Sequence, residues 1–169
     1  MKFKITIFML AAFLGAAAFA AETDVVELKP TKFGLFPQEM MSMKDLRAKL
    51  LAGDPMLLLD ARDKEAYDTG HIAGAVLPLP GEYYQQEKLF KSGVIATSPN
   101  HDAELAAAMK KYPQASLIVV YCNDNCSLSA VLLLQLKRMG FKNSFAMEDG
   151  FQSWAAAGYP AVPGKGVVQ

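Results

Sequence analysis

The sequence predicts an α/β domain whose parallel sheet is covered by helices on both faces. Short apolar runs alternate with helix-forming segments, the strongest run (116–121) is rich in β-branched residues, and Gly or Pro punctuates the junctions. A length of 169 residues suits one domain. Lys plus Arg and Asp plus Glu both count 17, so there is no lopsided basic surface for nucleic acid. A composition 52% hydrophobic and 20% charged excludes a disordered chain.

Residues 1–4 hold two lysines, 5–20 are almost wholly apolar, and Ala18 and Ala20 put small residues where a signal peptidase reads. This pattern is that of a secretory signal peptide cleaved after Ala20. The apolar run is shorter than the roughly 20 residues that span a bilayer, and no cysteine follows it to carry a lipid. The expected layout is a signal peptide at 1–20, a lead-in at 21–41 and the domain at 42–169. The expected location is the periplasm, with no membrane attachment after cleavage.

The lead-in is broken by Pro30, Gly34 and Pro37 and has room for one short strand. Ser42 and Asp45 form a capping box ahead of Leu46, Leu50 and Leu51, and Gly53-Asp54-Pro55 ends that helix. Residues 56–59 read as a strand buried on both faces, with Asp60 at its carboxyl end. Residues 75–77 suggest a short strand between the loop-formers at 70–74 and the prolines Pro78 and Pro80; 81–100 show only a weak helical pattern. A helix is expected at 102–111, capped by Asn100. After the strand at 116–121 come a helix at 127–139 ended by Gly140, a strand at 143–147, and a helix at 150–157 stopped by Gly158 and Pro160.

The two cysteines of the chain, Cys122 and Cys126, stand four positions apart. A bridge closing so short a loop stabilises almost nothing, so the pair is either chemistry or accident rather than a scaffold. Cys122 directly follows a buried strand and precedes a helix, which places it at the carboxyl edge of the sheet, where open α/β folds bind ligands. Amides at that helix N-terminus are expected to favour its thiolate. Its neighbours Asn123, Asp124, Asn125 and Ser127 are polar, which favours a reactive thiol over a core cysteine.

Three separated stretches then match one pattern. Leu59-Asp60-Ala61-Arg62 with Glu65, Tyr67 and Gly70-His71-Ile72-Ala73-Gly74-Ala75 is similar to the first signature of rhodanese-like sulfurtransferase domains. Val119-Val120-Tyr121-Cys122 resembles the strand entering their active-site loop, and Gly140-Phe141, Asp149-Gly150-Phe151-Gln152-Ser153-Trp154 and Ala157-Gly158-Tyr159-Pro160 resemble their C-terminal signature. The resemblance implies a three-layer fold with a central five-stranded parallel sheet. It also implies a Cys122 thiolate that takes the outer sulfur of a donor such as thiosulfate and yields it to a thiophilic acceptor. The loop from Asn123 to Ser129 would stabilise the persulfide, Asp60, Arg62 and His71 would brace the fold nearby, and no cofactor or metal is called for.

The sequence departs from the family at the loop. Where the family has glycine, arginine and serine, this chain has Asn125, Ser127 and Leu128, and Gly140 falls one residue late. If the extra residue lies in the loop, Ser129 takes the serine slot and Leu128 the arginine slot. Leucine cannot bind a dianion bidentately, so phosphatase chemistry is disfavoured and thiosulfate turnover is expected to be weak. Cys126 is the second departure, either a resolving thiol that attacks a Cys122 persulfide or sulfenic acid, or a chance substitution. A metal site is a weaker idea for the cysteines, His71 and His101, and Met40, Met41 and Met43 read as packing rather than a Cu(I) site. The expected function is therefore an exported sulfurtransferase acting on a small sulfur-containing anion or thiol. The alternative is a thiol-disulfide or sulfur relay that uses Cys122 and Cys126 with a protein partner. A third reading, a catalytically idle binding domain, is disfavoured by the presence of Cys122.

Overall fold

The computed structural model describes residues 34–78, 99–114 and 116–164. The expected signal peptide, most of the lead-in and nearly all of 81–100 lie outside the described residues. A 3₁₀ turn at Pro37–Glu39 leads into β1 (Met40–Met41) and α1 (Met43–Ala52). There follow β2 (Leu57–Asp60), α2 (Lys64–Thr69), β3 (His71–Ile72), α3 (Pro99–Met109), β4 (Ile118–Tyr121), α4 (Leu128–Arg138), β5 (Ser144–Met147), α5 (Phe151–Ala156) and β6 (Ala161–Val162).

The main sheet has the order β1-β5-β4-β2, all parallel, so the strand that ends at Tyr121 is central as the sequence predicts. Among the described residues it has four strands, and a fifth is not confirmed. Val76, in the predicted strand at 75–77, makes only a single parallel bridge to Leu59, with Val76 N donating to Leu58 O and Asp60 N to Val76 O at 2.9 Å each. The turn signals on both sides of 75–77 keep the pairing from extending. A second, two-stranded antiparallel sheet pairs β3, within the expected loop at 70–74, with β6.

Alternation along the buried strands produces the layers. Leu57, Leu59, Ile118 and Val120 meet Leu105, Met109, Leu128, Leu132 and Leu136 from α3 and α4. Leu58, Val119 and Tyr121 meet Leu46 of α1 and Trp154 of α5 on the other face. Met41 lies in that second core and Met43 packs against it.

Local signals behave largely as read. Ser42 Oγ accepts from Asp45 N and caps α1, and Gly53 ends it at φ 71°, a left-handed conformation natural to glycine. Leu51, counted with the apolar positions of α1, is instead 69% exposed. Asn100 is not a cap, because α3 begins at Pro99, a residue suited to the first helical turn. The helix α2 is not among the elements expected from the sequence; Asp63 caps it by accepting from Ala66 N at 2.8 Å.

The carboxyl ends of β2 and β4 are tied together in the interior. Asp60, 0% exposed, accepts from Arg62 Nη2 at 2.7 Å, from Arg62 N at 2.9 Å and from Tyr121 Oη at 2.6 Å. Arg62 Nη2 also donates to Gly70 O at 2.6 Å, and Tyr121 Oη accepts from Ile72 N at 3.1 Å, which joins the main sheet to β3. Removing one partner of a buried ion pair strands the other, so Asp60→Ala is expected to lower stability by about 3–5 kcal/mol. Urea unfolding checks this, and a loss below about 1 kcal/mol would mean that the network is not structurally required.

Candidate active site

Cys122 directly follows β4, and because Ile118 and Val120 face the α3 and α4 side, so does its sulfur. Tyr121, one residue earlier, faces the opposite layer. The thiol is 2% exposed. Its Sγ lies 3.2 Å from Cys126 O, 3.5 Å from Asn123 O and 3.5 Å from Ser129 Oγ.

The N-terminus of α4 serves both cysteines. The first amide of α4, Leu128 N, donates to Cys126 Sγ at 3.4 Å rather than to Cys122, while two backbone carbonyls face the Cys122 thiol. Burial pushes the Cys122 thiol well above its ordinary value and the Cys126 side chain pushes it further; the Ser129 hydroxyl and amide pull the other way without prevailing. The N-terminus of α4 therefore favours the Cys122 thiolate through Ser129, as expected, but burial and Cys126 outweigh it. Both cysteines are free thiols here, and Cys126 is half-buried.

The loop conformation explains the sequence departures. Asn125 takes φ 58°, a left-handed position where the family has glycine and where asparagine is the best-tolerated substitute. Cys126 N donates to Asn123 O at 3.2 Å and closes the turn. The helix α4 runs from Leu128 to Arg138, and Ser129, in its first turn, reaches the Cys122 sulfur. Ser127 and Leu128, the two candidate arginine slots, are both buried, and Leu128 packs in the core with Leu57 and Leu132.

The loop rests on the start of α5. Phe151 N donates to Cys122 O at 2.8 Å, and Asp124 N donates to Gln152 Oε1 at 2.7 Å. Asp124 in turn accepts from Ser153 N at 3.2 Å and from Ser153 Oγ at 2.7 Å. A Cβ on Gly150 would lie 2.0 Å from Asp124 N, so only glycine permits this approach. In the sequence Gln152 and Ser153 belong to the C-terminal signature, and nothing in their spacing indicates that they touch the loop.

His71 stays apart from the thiol. Its ring stacks on Tyr67 at 3.9 Å, and its Nδ1 donates to Tyr67 O at 3.0 Å. Asp60 and Arg62 sit behind Tyr121, and the Arg62 guanidinium lies 4.0 Å from the centre of the Phe151 ring. No group of three or more His, Cys, Asp or Glu residues suited to a metal occurs among the described residues.

A cleft of about 740 Å³ opens on the Tyr121 side of the sheet, lined by Arg62, Asp63, Glu65, Asn123, Phe151 and Gln152 among others. Cys122 does not line it. The charge of Arg62 is held by Asp60, and Asp63 and Glu65 add negative charge to its wall.

A buried thiol at the carboxyl end of a central parallel strand, on a loop closed against the last helix, defines an α/β domain built around one cysteine loop. Residues 42–157 match the family model of the rhodanese-like domain, and the chain belongs to that family. Among solved structures, the rhodanese-like domain of an Anabaena protein is 22% identical over 74% of this chain and 79% of its own, with a TM-score of 0.54. A Bacillus halodurans protein is 18% identical over 77% and 80%, with a TM-score of 0.55. Thiosulfate sulfurtransferase from Pseudomonas aeruginosa is 22% identical over 74% of this chain but only 20% of its own, with a TM-score of 0.53. These likenesses are ones of fold.

The Gly150 contact has a measurable consequence. In Gly150→Ala the methyl group must displace loop backbone rather than a flexible side-chain tip, with an expected loss of about 1–3 kcal/mol. Thermal denaturation together with thiol labelling would read it; unchanged melting and unchanged labelling would show that the loop does not rest on α5.

Proposed function

We propose that this chain is an exported, periplasmic sulfurtransferase that carries sulfane sulfur as a persulfide on Cys122. The observation that carries the reading is the position of Cys122 at the carboxyl end of the central strand, within a rhodanese-like domain. In the first step the Cys122 thiolate attacks the outer sulfur of thiosulfate; an S–S bond forms to Cys122, the donor S–S bond breaks, and sulfite leaves. In the second, a thiophile such as cyanide attacks the outer persulfide sulfur and leaves as thiocyanate, which regenerates the thiolate. Ser129, whose hydroxyl and amide favour the negatively charged sulfur, is the group best placed to stabilise both anions.

Thiosulfate is expected to be a poor donor. No arginine stands in the loop, and the slots that would hold one point into the interior. A relay with a protein partner is the second reading, favoured by Cys126: it is half-buried, lies against Cys122 and receives the first amide of α4. In that reading, attack by the Cys126 thiolate on the inner sulfur of the persulfide closes a disulfide and releases hydrosulfide.

Thiosulfate-to-cyanide transfer should be weak but measurable and should vanish in Cys122→Ser; activity that survives would place the sulfur elsewhere. Mass analysis separates the two readings, because a persulfide adds one sulfur whereas a disulfide removes two hydrogens. A stable persulfide that builds up in Cys126→Ser but never in the wild type supports the relay, and equal transfer by both proteins removes it. The pH dependence follows from the raised thiol: the protonated form dominates at neutral pH, so transfer should climb with pH through and beyond the ordinary thiol range. A rate that levels off near neutrality would contradict the buried, protonated thiol.

A further inference from the structure

We propose that Asp124 is a positioning residue for the Cys122 thiol, tying the cysteine loop to α5 and so fixing where the sulfur sits. The inference rests on the persulfide reading above and gives a specific role to a residue that the family resemblance places only within the loop.

Asp124 uses both its backbone and its side chain on the same helix. Its amide donates to Gln152 Oε1 at 2.7 Å, and its two carboxylate oxygens take the Ser153 amide at 3.2 Å and the Ser153 hydroxyl at 2.7 Å. One residue before it, Asn123 O faces the Cys122 sulfur at 3.5 Å; two residues after it, Cys126 O faces the same sulfur at 3.2 Å. Both carbonyls that hold the thiol therefore belong to the short stretch that Asp124 anchors. The absence of a side chain at Gly150 lets the anchor close, since any Cβ there would meet Asp124 N. Phe151 N on Cys122 O fixes the strand end of the loop, and Asp124 ties its crown to the same helix.

A loop so held keeps the thiol buried and protonated between turnovers. Untying it admits water to the sulfur and removes the fixed carbonyls, both of which favour the thiolate. The same release spreads the loop amides and the Ser129 contacts over many conformations, so the persulfide loses a preformed site. Thiol reactivity and sulfur transfer should therefore move in opposite directions, a split that simple loss of stability does not produce in the folded protein.

The test compares wild type, Asp124→Ala, Asp124→Asn and Ser153→Ala below their melting temperatures. Iodoacetamide labelling of Cys122 is followed by peptide mass analysis across pH, alongside thiosulfate-to-cyanide kinetics. Asp124→Ala should label Cys122 about tenfold faster at neutral pH, with the labelling profile displaced to lower pH by about one unit. Its kcat should fall with KM little changed. Asp124→Asn keeps an oxygen for the Ser153 amide and an NH₂ that can donate to the Ser153 hydroxyl, so it should restore most of the wild-type profile. Ser153→Ala, which leaves the loop sequence intact, should shift the profile in the same direction by less, and stands in if Asp124→Ala does not fold. Labelling profiles of Asp124→Ala and Ser153→Ala that superimpose on the wild type would overturn the proposal. Because labelling needs no sulfur transfer, a failure of the persulfide reading, seen as transfer that survives Cys122→Ser, is told apart from a failure of Asp124.

Discussion

The buried carboxylate of Asp60 is the constraint around which the working end of this domain is arranged. A fully buried charge is tolerable only when its oxygens are filled, and here an arginine two residues along and a tyrosine on the neighbouring strand fill them. Satisfying Asp60 aligns the carboxyl ends of β2 and β4. The same two partners reach Gly70 O and Ile72 N, which fastens the β3 and β6 pair to the main sheet. Tyr121 feels the arrangement strongly: burial, and next the charge of Asp60, hold its hydroxyl protonated far above the ordinary phenol range. It is a permanent donor to the carboxylate.

Cys122 follows that tyrosine by one residue, and the pleat of the strand sends the two side chains to opposite layers. The scaffold thus fixes the cysteine without sharing any atoms with its chemistry. The loop, in contrast, depends on α5, through the amide of Phe151, the carbonyl of Cys122 and the contacts of Asp124. The C-terminal helix is therefore part of the site although it supplies no reacting group.

Much of the architecture was legible because buried parallel strands announce themselves as unbroken apolar runs and because the caps at Ser42 and Gly140 carry local signatures. The short elements were not. The helix α2 spans six residues, and β3 and β6 span two each, lengths at which periodicity has no meaning. The position of the thiol was legible, and so was the sign of the helix-end contribution, which arrives through Ser129. That burial and Cys126 outweigh it was not legible, because burial depends on packing that spacing does not show. Nor could spacing reveal that Asp124 meets Ser153, since the contact joins segments 29 positions apart.

The inward direction of Ser127 and Leu128 also bears on what this domain could become. In a loop whose sixth position faces solvent, exchanging one residue for arginine would be enough to create an oxyanion site. Here a guanidinium at Leu128 would enter an apolar layer beside Leu57, Leu132 and Leu136, uncompensated by any carboxylate in that cluster. Gaining affinity for phosphate-like dianions at Leu128 would first require a loop conformation that turns this position outward. The direction of that side chain is thus a barrier in sequence space, one that a single exchange to arginine does not cross.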